Sequence, residues 1–236
     1  MQEGENHALI ARLQKEAKDA GGRFFVLNGN HELQAAIGDL RYFSEDDVMK
    51  FSELPGDTRS AKVRGAFVRG GPYANWIANN PVMVRVGRDL FVHAGLESWV
   101  EYFLIDEINA MVKSWFLYFQ GNGPQPLLST GWIIGQVGPM WTRLLSEGRI
   151  SEEQISSMLK TKGVARVIVG HTVTASRLPE ITYGGKLVKI DTGMSAAFGG
   201  NGPSAIQIMD GKLERFVFAR PRSGLVDKCN AQLIPH

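Results

Sequence analysis

Residues 26–32 read Val-Leu-Asn-Gly-Asn-His-Glu, an apolar stretch that passes directly into a glycine and three polar residues. Two phenylalanines, Phe24 and Phe25, precede the stretch, and aromatic and β-branched residues are typical of strands. The pattern predicts a buried strand over residues 23–28 that ends at Gly29. Polar residues that follow such a strand lie at the edge of a sheet.

The same local order occurs twice more, at residues 90–95 (LFVHAG) and 167–172 (VIVGHT). In each case an apolar run leads into a small residue or a histidine. Because the C-terminal ends of strands in an α/β sheet converge on one crevice, the three segments predict a shared site there. Its expected members are Asn30, His31, His93 and His171.

The remaining periodicity predicts a mixed α/β protein. Helical spacing of apolar residues predicts helices over 8–20 and 97–119, and Ser151 with Gln154 predicts a capping box for a further helix. Short apolar runs predict the other strands, which are 81–86 and 90–92 as a hairpin, 165–169, 187–190, and 205–208 joined to 213–218 by Asp210-Gly211. With no internal repeat and no linker, we expect a single domain over residues 1–236.

Composition excludes several classes of protein and of partner. Hydrophobic residues make up 44% of the chain, which is too high for a disordered protein. Lys plus Arg total 26 against 24 for Asp plus Glu, so there is no electrostatic case for nucleic acid or an anionic membrane as partner. The single Cys229 makes no internal disulfide, and no apolar run approaches about 18 residues. We expect a soluble chain whose compartment is unknown, because an organellar targeting segment could precede it.

The strand-end residues predict metal chemistry. Imidazole and carboxamide groups are suitable ligands for a first-row divalent metal. One histidine alone is more often structural, but three histidines in the same strand-end context favour a metal site. Ligands of one ion lie about 2 Å from it, so we expect His93 within about 10 Å of His171.

These motifs resemble those of a known superfamily. Residues 29–32 (GNHE) match a motif of the calcineurin-like metallophosphoesterases, residues 93–95 (HAG) resemble that family's later HGG, and residues 170–171 its final GH. Longer strings are similar to the Shewanella-like protein phosphatases, namely NGNHELQAAIGDLRY (28–42), GGPY (70–73) and GPMWTR (138–143). The resemblance implies an α/β/β/α fold, a β-sandwich flanked by helices.

The resemblance also implies a dinuclear metal centre in a hydrolase of phosphoric monoesters. Asn30, His93 and His171 match ligands of the second metal ion, and His31 matches the catalytic general acid. Manganese is the expected metal, with iron or zinc as alternatives. Two such ions generate a nucleophile from water and clamp the phosphoryl oxygens. The implied substrate is a phosphoprotein or phosphopeptide.

Four further residues are candidates around this site. Arg143 and Arg41 are candidate phosphate-binding residues, although Arg143 can equally be a solvated surface residue and Arg41 can simply pair with Asp39. Asp191 follows a strand and either orients a metal-bound histidine or forms a turn. Glu32 is expected to support the site or the helix N-terminus rather than to bind metal.

One departure from the family pattern affects function. The family's first two motifs, G-D-x-H-G and G-D-x-x-D-R-G, are absent from residues 1–28. Those motifs carry the carboxylate ligands, so we expect an N-terminally truncated fold that lacks its first strands and has little activity. Two alternatives stay open, a noncatalytic remnant or binding module on a phosphatase scaffold, and a phosphoesterase for small molecules or dinucleoside polyphosphates.

Overall fold

The computed structural model describes residues 3–195, 198–200, 202–218 and 231–234. Helices in these ranges are α1 (Glu3–Asp19), α2 (Asn30–Ile37), α3 (Glu45–Met49), α4 (Arg59–Phe67), α5 (Ala74–Asn79), α6 (Ile105–Phe119) and α7 (Glu152–Lys162), with short 3₁₀ helices at Ser98–Tyr102, Leu128–Ile134 and Tyr183–Gly185. Strands are β1 (Met83–Val86), β2 (Asp89–Val92), β3 (Arg166–Val169), β4 (Glu180–Thr182), β5 (Leu187–Lys189), β6 (Ser204–Met209), β7 (Lys212–Phe218) and β8 (Ala231–Ile234). Cys229 lies outside the described residues.

The larger sheet has five strands in the order β1-β2-β3-β5-β4. Strands β2, β3 and β5 are parallel, and β4 is antiparallel to β5. Residues 167–169 of β3 are at most 1% exposed, which is why the sequence there is apolar without alternation. The predicted strands at 165–169 and 187–190 are confirmed, and so is the mixed α/β class.

The smaller sheet has three antiparallel strands in the order β6-β7-β8. Asp210 and Gly211 both have positive φ, 51° and 78°, and form the two-residue turn that joins β6 to β7, as predicted. One apolar cluster contains residues of both sheets, namely Phe91, Ile168, Ile181, Val188, Ile206, Ile208 and Leu213. The complete sandwich with helices on both outer faces stays a prediction.

Backbone contacts group the chain into two compact units. The first comprises Met1–Val84 and Ile105–Gly135, and its core takes buried residues from α2, α4, α5 and α6. The second comprises Arg85–Leu104 and Gln136–His236, and contains most of the larger sheet. The single-domain expectation for residues 1–236 stays a prediction.

The strand predicted over residues 23–28 is wrong. This segment has no strand assignment, and Phe24 and Phe25 are 39% and 47% exposed. Its backbone is anchored at the end, where the Asn28 N–H donates to the Pro81 carbonyl at 2.8 Å. A strand needs a neighbour for its whole length, and the described residues provide none here. The apolar composition of residues 23–28 is therefore compatible with a strand, but it does not provide the neighbouring strand that a sheet requires.

The single helix predicted over residues 97–119 is also wrong in its continuity. The 3₁₀ helix Ser98–Tyr102 stops at Phe103, whose φ of −126° and ψ of 145° are extended, and α6 begins at Ile105. The Phe103 carbonyl accepts a hydrogen bond from the buried ammonium group of Lys162. A helical conformation at Phe103 would turn that carbonyl toward its own helix and away from Lys162. Because the helix is broken there, the buried ammonium group of Lys162 has a hydrogen-bond acceptor.

Among the helices of the described residues, none combines the length and the apolar character that a membrane-crossing segment needs.

The GGPY string at residues 70–73 forms a tight return after α4. The Gly71 N–H donates to the Val68 carbonyl at 2.8 Å, and the Tyr73 N–H donates to the Ala66 carbonyl at 2.9 Å. A Cβ at Gly71 would lie well under 3.0 Å from the carbonyl oxygens of Gly65 and Ala66. The close approach of two backbone segments explains the glycine.

We expect Gly71→Ala to lower the free energy of unfolding by about 1–3 kcal/mol, because the methyl group forces the return away from α4. Urea unfolding followed by circular dichroism measures the change. Gly65→Ala is the matched control: its Cβ meets the nearest atom, the Pro55 carbonyl oxygen, at 3.5 Å, an ordinary contact. The control gains about 0.5–1 kcal/mol from helix propensity. Equal effects of the two substitutions would contradict this account of Gly71.

Candidate functional site

Two of the predicted site residues, His93 and His171, meet at one edge of the larger sheet. Val92 and Val169, the last residues of β2 and β3, are register partners. The Gly170 N–H then donates to the His93 carbonyl at 2.8 Å and extends the pairing by one step. His93 Nε2 lies 3.2 Å from His171 Nδ1, and the ring centroids are 5.0 Å apart. The expected approach of these two residues is observed.

The backbone at His171 is unusual. Its φ of 64° lies in the left-handed region, which non-glycine residues adopt rarely. The turn is closed by the Thr172 N–H, which donates to the Gly170 carbonyl at 2.7 Å. The Trp141 ring stands edge-on to the imidazole at 6.1 Å, with an interplanar angle of 86°. Turn and indole together fix the imidazole toward His93.

The distance between the two imidazoles suits one divalent cation. Metal–nitrogen bonds of about 2.0–2.1 Å place two ligands about 2.9–3.4 Å apart for octahedral to tetrahedral angles. The observed 3.2 Å lies in that interval, and it also suits a hydrogen bond between two neutral rings. Within the described ranges no group of three or more His, Cys, Asp and Glu side chains could hold a metal. The described residues therefore provide a partial donor set.

Arg143 lies beside this pair of histidines. Its Nη1 donates to the His171 carbonyl at 3.2 Å and to Thr172 Oγ1 at 2.9 Å, and the residue is exposed. A guanidinium group carries five N–H donors, so its other donors can take a bidentate oxyanion. This position is compatible with the predicted phosphate-binding role.

Asn30 and His31 belong to the first compact unit and begin helix α2. The Asn30 side chain is buried, and its Nδ2 lies 3.5 Å from Gln34 Oε1. Glu32 accepts a hydrogen bond from the Gly29 N–H at 2.7 Å, so its carboxylate caps the helix. The GNHE string thus combines a helix start with its own cap.

His31 is exposed and stacks on Tyr42, with ring centroids 5.5 Å apart and an interplanar angle of 29°. Tyr42 is not among the site residues that the motifs predict. The available signal was its place at the end of the NGNHELQAAIGDLRY string, since the helix and the following turn return the chain to its start. The ring of His31 therefore contacts Tyr42 on one side and is exposed to solvent elsewhere.

For Arg41 and Asp191, the structure shows the local contacts that were considered as alternatives to a role at the metal or phosphate. Arg41 pairs with Asp39, with Nη2 and Oδ2 2.6 Å apart and Nε 3.0 Å from both carboxylate oxygens. Asp191 accepts a hydrogen bond from the Gly193 N–H at 3.0 Å and forms a turn after β5. The ion pair and the turn are the simpler of the roles considered for these residues.

Comparisons with known proteins confirm the resemblance to Shewanella-like protein phosphatases. No family model matches the chain. The chain is 26% identical over 255 residues to Shewanella-like protein phosphatase 2 of Arabidopsis thaliana, covering 90% of this chain and 64% of that protein. It is 25% identical over 214 residues to Shewanella-like protein phosphatase 1 of Plasmodium berghei, covering 87% of this chain and 58% of that protein.

A solved structure has the same fold. It is the crystal structure of the cold-active protein-tyrosine phosphatase of a psychrophilic Shewanella species, with a TM-score of 0.71 and 20% sequence identity. The match covers 90% of this chain and 62% of the Shewanella chain. The present chain therefore spans less than two thirds of the length of each of these three proteins.

The ion pair of Asp39 and Arg41 predicts an acid-side titration. The hydrogen bond from Arg41 is the main cause that lowers the pKa of Asp39 from 3.8 to about 2. Since the folded pKa is the lower one, the stabilising contribution is present above pH 4 and is lost as the pH falls toward 2. We expect Arg41→Gln to raise the pKa of Asp39 toward its ordinary value, because the guanidinium hydrogen bonds and the positive charge are lost. Carboxyl ¹³C shifts measured against pH test this, and an unchanged pKa would exclude Arg41 as the cause.

Proposed function

We propose that this chain carries part of the active site of a metal-dependent protein phosphatase, a hydrolase that uses two divalent cations in a calcineurin-like sandwich. The observation that carries the proposal is the pair of imidazoles at the ends of β2 and β3, with Arg143 anchored beside it. The names of the relatives, which are protein phosphatases, support phosphoprotein as the substrate class.

The metal ligands in this proposal are neutral. His93 and His171 would hold one divalent cation, and Asn30 is proposed as its third ligand from the resemblance of the GNHE motif alone. Manganese is the expected metal, with iron or zinc as alternatives. When bound, a pair of such cations activates water and neutralises the phosphoryl oxygens. Three neutral ligands leave the charge of the cation uncompensated, so binding by these residues alone is weak.

The other residues bind and protonate the substrate. Arg143 binds two phosphoryl oxygens with the guanidinium donors that face away from the His171 carbonyl. His31 gives its proton to the leaving oxygen, with its ring stacked on Tyr42. Arg41 remains with Asp39 unless the substrate offers it a stronger anion.

The carboxylate ligands that a dinuclear centre needs are proposed to come from residues outside this sequence, in the two motifs that are absent from residues 1–28. A second candidate function follows from the donor set within the described residues, which holds no group of three metal-ligating side chains of the kinds His, Cys, Asp and Glu. In that case the chain is a noncatalytic binding module on a phosphatase scaffold.

We expect the purified 236-residue chain to bind Zn²⁺ weakly through its two paired imidazoles. Isothermal titration with zinc chloride measures the affinity, and ring ¹⁵N shifts identify the ligands. His171→Ala removes one of two imidazoles and lowers the affinity at least about 10-fold. His31→Ala is the matched control, because a proton donor is not a ligand. Equal losses in the two variants would contradict the assigned roles.

We expect little hydrolysis of p-nitrophenyl phosphate by the 236-residue chain with added manganese, because its ligands do not complete a dinuclear centre. The same chain preceded by in-frame upstream codons that supply both absent motifs should hydrolyse phosphopeptides.

In that longer protein, His31→Asn should lower kcat about 10²–10⁴-fold with metal content unchanged, the range for one acid–base group. Absence of both motifs upstream, together with no turnover, would favour the noncatalytic module. Robust manganese-dependent turnover by the 236-residue chain alone would show that other groups replace the carboxylates.

A further inference from the structure

A cavity of about 430 Å³ lies in the second unit, between the 3₁₀ helix Ser98–Tyr102 and helix α7. Leu144, Ile150 and Met158 give it an apolar wall, and Met158 is only 3% exposed. Three acidic residues, Glu97, Glu101 and Glu153, line the same space. The cavity therefore combines an apolar wall with negative charge.

Within the described ranges no ion pair joins Glu97, Glu101 or Glu153 to a cation, although the charge of Lys186 acts on Glu153. Glu97 accepts a hydrogen bond from the Thr142 hydroxyl, and a hydrogen bond from Ser151 lowers the pKa of Glu153. Lys186, the lysine that acts on Glu153, forms its ion pair with Glu152, 2.5 Å away. Glu97 and Glu101 therefore form no ion pair among the described residues, and all three glutamates line a cavity large enough for a long side chain.

This combination of surfaces is selective for one chemistry. Arginine and lysine carry an aliphatic stem below a cationic head, so the stem packs on apolar side chains while the head meets carboxylates. Anions are repelled by the three glutamates, and neutral apolar groups bring no charge that compensates them.

The cavity is tied to the paired imidazoles by two short connections. Glu97 follows His93 by four positions, which limits their Cα separation to about 14 Å. Leu144 is the neighbour of Arg143, and the Thr142–Glu97 hydrogen bond joins the two connections. An extended peptide advances about 3.3 Å per residue. A side chain about two to five residues from one at the imidazoles can therefore reach the carboxylates.

We propose that this cavity binds an arginine or lysine side chain of a phosphoprotein substrate, two to five positions away from the phosphorylated residue. The inference rests on the proposed phosphatase function for the position of the phosphoryl group. The affinity for a basic side chain is a property of the cavity itself and can be measured without turnover.

Fluorescence anisotropy with the 236-residue chain tests the proposal. The probes are short fluorescein-labelled alanine–glycine peptides with one phosphotyrosine, with or without an arginine three positions away. We expect the arginine to strengthen binding about 10-fold at low salt, and the gain to shrink as salt screens the charges. Moving the arginine next to the phosphotyrosine should remove the gain. Equal binding of the two peptides would overturn the proposal.

The variant Glu101→Gln with Glu153→Gln should bind both peptides equally. Glu53→Gln with Glu214→Gln removes two exposed carboxylates that do not line the cavity, and this matched control should keep the preference. If the control variant also loses its preference for the arginine peptide, the preference arises from the overall charge of the chain and the proposal is overturned. Thermal melts of both variants report whether the fold is retained, and a methyl shift of Met158 on binding places the peptide in the cavity.

Two further arms separate this inference from the proposed function. In the first arm, the arginine peptide is measured without its phosphate. If its affinity is unchanged and still depends on Glu101 and Glu153, the result supports the cavity and counts against the phosphatase proposal. In the second arm, spermidine, magnesium chloride and free arginine each compete with the arginine peptide. If spermidine or magnesium displaces the peptide at a lower concentration than free arginine does, the site is a general cation site and the substrate assignment is overturned.

Discussion

The pairing of β2 with β3 determines where the candidate chemistry lies. Asp89 and Arg166 are register partners at the start of the two strands and form an ion pair that is 10% and 14% exposed. Such a pair adds little to stability but opposes a slipped register, because a slip separates two largely buried charges. A slip of one residue would also invert every side chain of β3. Arg166 additionally donates to the Gly211 carbonyl at 2.7 Å and so joins this register to the hairpin of the smaller sheet.

In the second unit, the residue proposed to bind an anion and the residues proposed to bind a cation lie at different places. Arg143, beside the imidazoles, is suited to an oxyanion, and the glutamates beyond Thr142 are suited to a cation. The Thr142–Glu97 contact stands between them. A peptide that carries both charges meets complementary groups in one direction only, so the order of the two sites along the chain gives orientation as well as affinity.

The sequence predicts what depends on neighbours in the chain. Residues 165–169 and the Asp210-Gly211 turn were predictable because apolar runs and turn residues act locally. Residues 23–28 were not, since a strand depends on partners that composition does not reveal. The break at Phe103 depends on Lys162, far along the chain, whose buried ammonium competes for the carbonyl. The approach of His93 to His171 followed from two strand ends, and the place of Tyr42 could have been found from the end of the string at residues 28–42. The acidic cavity arises from contacts between distant segments that no motif encodes.

At His171 the backbone conformation favours one kind of residue and the proposed chemistry requires another. Glycine or asparagine adopts a φ of 64° with less strain, so drift at this position toward either residue relieves the turn at the loss of the imidazole. A chain under selection for folding alone has no reason to keep histidine there. The persistence or decay of histidine at this turn among the chain's descendants is therefore a record of whether selection acts on the site or only on the scaffold.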